Sequence, residues 1–239
     1  YGSPTSKPID ETDPGHHGTG VLGVVWQAAP NAEYHVARTD PDIDISIPNV
    51  ELPIIGKRDG WRLGRDLSRN DLNRILRKAK DSPIDYDVIV TSKGYLRDDW
   101  DLFKEEVMDN MRRLTNDLSD KTTTFVAAAG NKSDGSQIPE LPSAAGKAVS
   151  VSSTDREDTI ARSSSPKKPK YGKPSIAAPG MGIITLGPST TAGFKYVSFP
   201  SGSSFAAPFV AGISLLLSKY ASADKVRSAL VNTAIPIKN

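Results

Sequence analysis

The 239-residue sequence contains no cysteine. That excludes disulfides, thiolate metal centres and cysteine nucleophiles, and it leaves the redox compartment open. Long apolar runs are missing too: none approaches the roughly 20 residues that a membrane-spanning helix needs. Neither sign of charge is in excess, because 30 Lys and Arg stand against 28 Asp and Glu, a formal net charge of +2. So small a surplus argues against nucleic acid and against an anionic membrane as partners. Basic residues gather only in "SPKKPKYGK" (165–173), where Pro and Gly interleave them, and this reads as a solvated loop. An initiator Met and a signal-peptide pattern are also absent from the start at Tyr1, which fits a processed or excised piece of something longer.

What is present fits one folded unit. Hydrophobic residues make up 37% and charged residues 24%, ordinary values for a soluble globular protein. The length suits a single α/β domain over 1–239 better than two small ones. Residues 1–15, "YGSPTSKPIDETDPG", contain three prolines and read as an irregular N-terminal segment. From His17 to about Trp26 the pattern predicts a short buried helix, and "AEYHVARTD" (32–40) reads as a strand. "SRNDLNRILRKAK" (68–80) is an amphipathic helix that Ser68 can cap, with Leu72, Ile75, Leu76 and Ala79 on one face. "DDWDLFKEEVMDNMRRLTNDL" (98–118) repeats the pattern through Trp100, Phe103, Val107, Met111 and Leu114.

Between these helices lie runs that read as buried strands: "YDVIVTS" (86–92), "TTFVAAAG" (123–130), "AVSVSST" (148–154) and "PSIAAPG" (174–180). An apolar helix starting near Ser204 and a terminal helix in "SADKVRSALVNTA" close the chain. Apolar strands alternating with helices predict a doubly wound α/β fold, its mostly parallel sheet covered by helices on both faces.

"HHGTGVLGVV" (16–25) opens two readings. Gly18, Gly20 and Gly23 spell G-x-G-x-x-G, and Asp40 about 20 residues on could hold a ribose, with Arg38 nearby for a 2′-phosphate. That fingerprint must directly follow a strand, and Pro14 and Gly15 stand there instead. The other reading rests on His17, next to the first glycine, as a base at a helix start. "PSGSSFAAPFVAG" (200–212) places Ser204 at a loop-to-helix junction, where free N–H groups can stabilise an oxyanion. The plainer role for Ser204 is a helix N-cap. In "FVAAAGN" (125–131) a strand end delivers Asn131, either a turn residue or an oxyanion donor.

Together these stretches resemble the subtilisin-like serine peptidases, the subtilase family. "HGTGVLG" is similar to the family's histidine motif H-G-T-H-V-A-G, and "SGSSFAAPFVAG" to its serine motif G-T-S-M-A-x-P-x-V-A-G. "AAAGN" resembles the segment ending in the oxyanion asparagine, and "VIVTSKG" the strand that pairs with substrate. The resemblance runs over residues 15 to 235, in the family's order, and implies a serine endopeptidase acting on polypeptides. His17 is then the general base, Ser204 the nucleophile that forms an acyl-enzyme, and Asn131 an oxyanion donor beside the Ser204 N–H. Ser92, Lys93 and Gly94 pair with an extended peptide, while Ala127, Ala128, Ala129 and Gly130 line a pocket that suits large apolar side chains. His16 faces solvent, and His35 lies in or beside a strand.

One part of the family's pattern is missing. The resemblance implies an aspartate at the end of a first strand upstream of the histidine, and only 16 residues precede His17, with no strand among them. Asp10 and Asp13 fall in the loop just before the helix. The aspartate is expected from an upstream fragment or companion chain. Otherwise one of the local aspartates has taken over, or the chain is an inactive relative serving as a peptide-binding or structural module. No cofactor is expected. Calcium is possible by resemblance, but "DPDIDISIPNVE" carries Ile45 where an EF-hand loop needs glycine, so Asp40, Asp42, Asp44 and Glu51 are assigned no metal. The resemblance leans toward a secreted protein.

Overall fold

The computed structural model describes residues 17–37, 51–52, 56–57, 72–94, 105–120, 122–131, 141–164, 175–187, 197–198 and 200–237. In chain order the elements are α1 (His17–Ala28), β1 (Glu51–Leu52), β2 (Gly56–Lys57), α2 (residues 72–81), β3 (Val88–Thr91) and α3 (Glu105–Asp120). There follow β4 (Thr124–Ala128), β5 (Val149–Thr154), β6 (Ile176–Pro179), β7 (Thr185–Leu186), β8 (Val197–Ser198), α4 (Ser203–Ser218) and α5 (Ala223–Asn232). The main sheet runs β3-β4-β5-β6 with every pair parallel. β1-β2 and β7-β8 are small antiparallel pairs.

β4 shows how the sequence divides the core. Side chains alternate across a strand, so Phe125 and Ala127 enter one layer and Val126 and Ala128 the other. The first layer is filled by Leu72 and Leu76 of α2, by Met108, Met111, Leu114 and Leu118 of α3, and by Leu141 and Ala145. The second holds Val149 and Val151 of β5, Ala206, Ala207 and Val210 of α4, and Val226 and Leu230 of α5. Burying each large side chain contributes about 1.5–3 kcal/mol, and β4 is buried at all five positions. Helices on both faces of a parallel sheet make the fold the doubly wound α/β type that the alternation of elements predicts.

Several expectations change. Residues 33–37 form no strand, and 38–40 lie outside the described residues. Local bonds hold that stretch instead: the Tyr34 hydroxyl donates to Ala29 O, and exposed His35 pairs with Glu33. The strands are not apolar throughout, because β5 buries Ser150, Ser152 and Ser153 beside its valines. Their neighbours supply hydroxyl acceptors: Ser150 N–H donates to Ser175 Oγ, and Ser153 N–H to Ser164 Oγ. β3 is only half-buried along its length, as the edge of the described sheet. Ser68, Trp100 and Phe103 lie outside the described residues, as do residues 1–16.

Candidate active site

The carboxyl ends of β3, β4 and β6 meet the start of α4, the rim on which open α/β sheets place their sites. Gly202 N–H donates to Gly180 O at 2.6 Å, which ties the start of α4 to the end of β6. From β3, Ser92 Oγ donates to Ser204 O at 2.6 Å, and the Ser204 hydroxyl is directed back at Ser92 O, 3.4 Å away. Ser204 is not the helix cap. Gly202 occupies that position, with φ 137°, and Ser204 falls in the first turn, 7% exposed. Among the described residues the Ser204 N–H meets no acceptor, as expected of an orphan donor at a helix start.

Asn131 follows the end of β4, and its side chain is held from α4. Its Oδ1 accepts Ser203 N–H at 2.7 Å and Ser203 Oγ–H at 2.9 Å. The Ser203 hydroxyl in turn accepts Gly130 N–H at 3.1 Å. A Cβ on Gly202 would lie 2.9 Å from Asn131 Nδ2, so only glycine admits the amide at this distance. His17 begins α1, exposed, and its ring meets Phe205 edge-on with centroids 5.4 Å apart. Phe205 is the residue after Ser204, so the packing of the two helices brings His17 next to the serine turn. The β7 strap fixes that helix: Thr185 Oγ1 donates to Gly20 O at 2.6 Å, and Gln27 Nε2 donates to Ile184 O at 3.0 Å.

The remaining predicted site residues fare unevenly. Thr91 Oγ1 accepts Lys93 N–H at 3.2 Å and donates to Lys93 O at 3.1 Å, so both main-chain groups of Lys93 are engaged. Ser92 and Gly94 flank it, half-buried. Ala127 and Ala128 send their methyls into opposite core layers, and Ala129 N–H is bonded to Val151 O. Any wall that 127–130 offers a ligand is therefore backbone. Sequence reasoning passed over Thr185 and Gln27 and took Ser203 only as a replacement for the serine motif's Thr with no direct part in the chemistry, because their partners lie 165, 157 and 72 residues away in the chain.

Asp155 and Tyr34, neither of them a predicted site residue, are displaced from their ordinary values. The Thr159 side chain and backbone N–H bonds hold Asp155 below the usual carboxylate range, and burial raises Tyr34. Among the described residues no group of three or more His, Asp or Glu could hold a metal ion. Asp40, Asp42 and Asp44 lie outside them, as does the Glu51 side chain. Also among the described residues, no helix is long and apolar enough to cross a membrane.

The profile of the subtilase family, peptidase S8, matches residues 2–238. This chain belongs to the subtilase family. Among curated relatives of this subtilase, thermitase from Thermoactinomyces vulgaris is 37% identical over 126 residues, 52% of this chain and 41% of thermitase. Halolysin from Haloferax mediterranei is also 37% identical, over 47% of this chain and 20% of its own length. The aligned stretches thus span less than half of either relative. The solved structure of the prenylagaramide maturation protease PagA overlays 71% of this chain and 59% of its own, with TM-score 0.56 and 25% identity. A lanthipeptide protease shares the fold over 94% of this chain and 70% of its own, with TM-score 0.67 at 20% identity.

Proposed function

We propose that the chain is the catalytic body of a serine endopeptidase, residues 1–239 folding as one domain. One observation carries this reading: the Ser204 N–H lies in the first turn of α4 and the Asn131 side chain is held from the same turn by Ser203, and neither that N–H nor the Asn131 Nδ2 meets an acceptor among the described residues. Two such donors near a nucleophile are what a developing oxyanion needs. Ser204 Oγ attacks the scissile carbonyl carbon while His17 takes its proton. The C–N bond then breaks, His17 returns the proton to the leaving amine, and water hydrolyses the acyl ester by the same route.

The substrate lies as an added strand against Ser92 and Gly94. Alternate residues of a strand point their main-chain groups to the same side, and those of Lys93 are already taken by Thr91. Ser92 O, toward which the Ser204 hydroxyl now points, becomes the acceptor for a substrate N–H. The backbone of 127–130 forms the wall of the pocket for the residue before the cut. His17 receives its orienting carboxylate from a strand of an upstream fragment or companion chain that pairs along β3, the edge of the described sheet. In support, Val88, Ile89 and Val90 are half-buried there, whereas equally apolar β4 is buried throughout. A secreted location accompanies this reading, and no step passes through a metal or other cofactor.

A fluorophosphonate probe tests the assignment. It is expected to label intact protein at Ser204, to fail on Ser204→Ala, and to react about 10²–10³-fold more slowly with Asn131→Ala. Folded protein that resists the probe overturns the peptidase and leaves a peptide-binding or structural module.

A further inference from the structure

Two departures from the family's motifs meet in space. Gly20 stands where H-G-T-H-V-A-G has its second histidine, and Phe205 stands where G-T-S-M has methionine. A Cβ on Gly20 would lie 3.1 Å from Phe205 Cε1, and 3.4 Å from both Leu186 O and Thr185 Cγ2 of β7. The bare backbone of Gly20 is thus a notch in α1, closed by β7 and filled by the Phe205 ring, which is 6% exposed. A side chain lost from one helix is matched by a bulkier one on the other.

His17 and Gly20 are three residues apart and share a face of α1. A ring seated in the notch therefore also meets His17, with centroids 5.4 Å apart and planes at 65°, an edge-to-face pair. His17 is exposed and Phe205 is buried, so the phenyl ring is the fixed member of the pair.

We infer that Phe205 is a positioning residue for His17: lodged in the notch that Gly20 opens, its ring sets the plane of the imidazole. The inference rests on the role of general base given to His17 under Proposed function. Phe205 exchanges no proton and acts only through His17. Because it follows Ser204 in the first turn of α4, one rigid turn places the nucleophile and, through the ring, the base. Orientation of this kind raises the rate by holding the reacting groups in the geometry the reaction needs.

The test is a double-mutant cycle on fluorophosphonate labelling of the intact protein, with Phe205→Leu, Gly20→Ala and the pair. Phe205→Leu keeps an apolar side chain and removes the ring, and is expected to slow labelling about three- to tenfold, the range that an edge-to-face pair supports. Gly20→Ala puts a methyl into the notch, pushes the ring off the imidazole and is expected to slow labelling about threefold. In the Phe205→Leu background the same methyl is expected to cost less than about twofold, since no ring is left to displace. Losses that multiply in the pair, or an unchanged rate in folded Phe205→Leu or Gly20→Ala protein, overturn the inference.

The ring current of Phe205 gives a readout that a general loosening of the fold would not reproduce. In the 1H–13C spectrum, the imidazole signals lost in His17→Gln pick out His17 among the three histidines. Those signals are expected to move in Phe205→Leu while the His35 signals stay in place. If wild-type protein resists the probe, the peptidase reading fails, and the spectrum alone decides whether Phe205 holds His17. Unmoved His17 signals in Phe205→Leu overturn it.

Discussion

At the scale of the residue, the site depends on a few atoms whose freedom has been removed. Gly202 is the clearest case, with φ 137° and a position where a Cβ would lie 2.9 Å from Asn131 Nδ2 and 3.1 Å from its Oδ1. Backbone strain of this kind costs about 1–3 kcal/mol, and the amide has to retreat as well. Gly202→Ala is therefore expected to lower the urea midpoint and to slow fluorophosphonate labelling by more than the stability loss accounts for. Labelling unchanged in folded Gly202→Ala protein overturns the argument. His17, Ser204 and Asn131 were legible because each sits in a short motif whose spacing is itself a signal. Ser203 was not, because its partner is 72 residues away and nothing local marks the pair.

At the scale of the element, α1 and α4 must pack closely enough to set the His17 ring against Phe205. Gly212 makes the approach possible, since a Cβ there would lie 2.3 Å from the Ala28 Cβ. Gly212→Ala gains about 1 kcal/mol of helix propensity, but overpacking against a neighbouring Cβ costs about 1–3 kcal/mol. The net is expected to be destabilising, read as a lower urea midpoint at unchanged slope. Ala28→Gly in the same chain is expected to recover part of the loss, because it removes the opposing methyl. The elements themselves were largely legible. β4, β5, β6, α4 and α5 fall within a few residues of their predicted spans, and α3 is helical from Glu105, the first part of its predicted span lying outside the described residues, because periodicity and turn residues report these elements directly. The stretch 33–37 misled, because "YHVARTD" has a strand's composition but its described part has no strand to pair with.

At the scale of the whole molecule, two core layers share one parallel sheet, and their protection is uneven. β4 lies between β3 and β5 and is buried throughout, whereas β3 is half-buried at the edge of the described sheet. Hydrogen exchange is expected to be slowest at Val126 to Ala128 and about tenfold or more faster along Val88 to Thr91. Equal protection of the two strands argues against an exposed edge at β3, and with it against the docking of an aspartate-bearing strand there.

The sequence by itself determined the class of fold and the order of its elements, and it singled out His17, Ser204 and Asn131 as the candidate site residues. It could do so because strand and helix periods are local properties, and because the histidine and serine motifs are contiguous. Tertiary structure alone decided which way each group points. The Asn131 amide turns its oxygen toward α4 because that helix brings Ser203 to it. Lys93 is withdrawn from pairing because Thr91 claims its backbone. Ala127 and Ala128 divide between two core layers because the strand that carries them is covered on both faces. A hydrogen bond or a contact joins atoms that the fold brings together, whatever their distance along the chain.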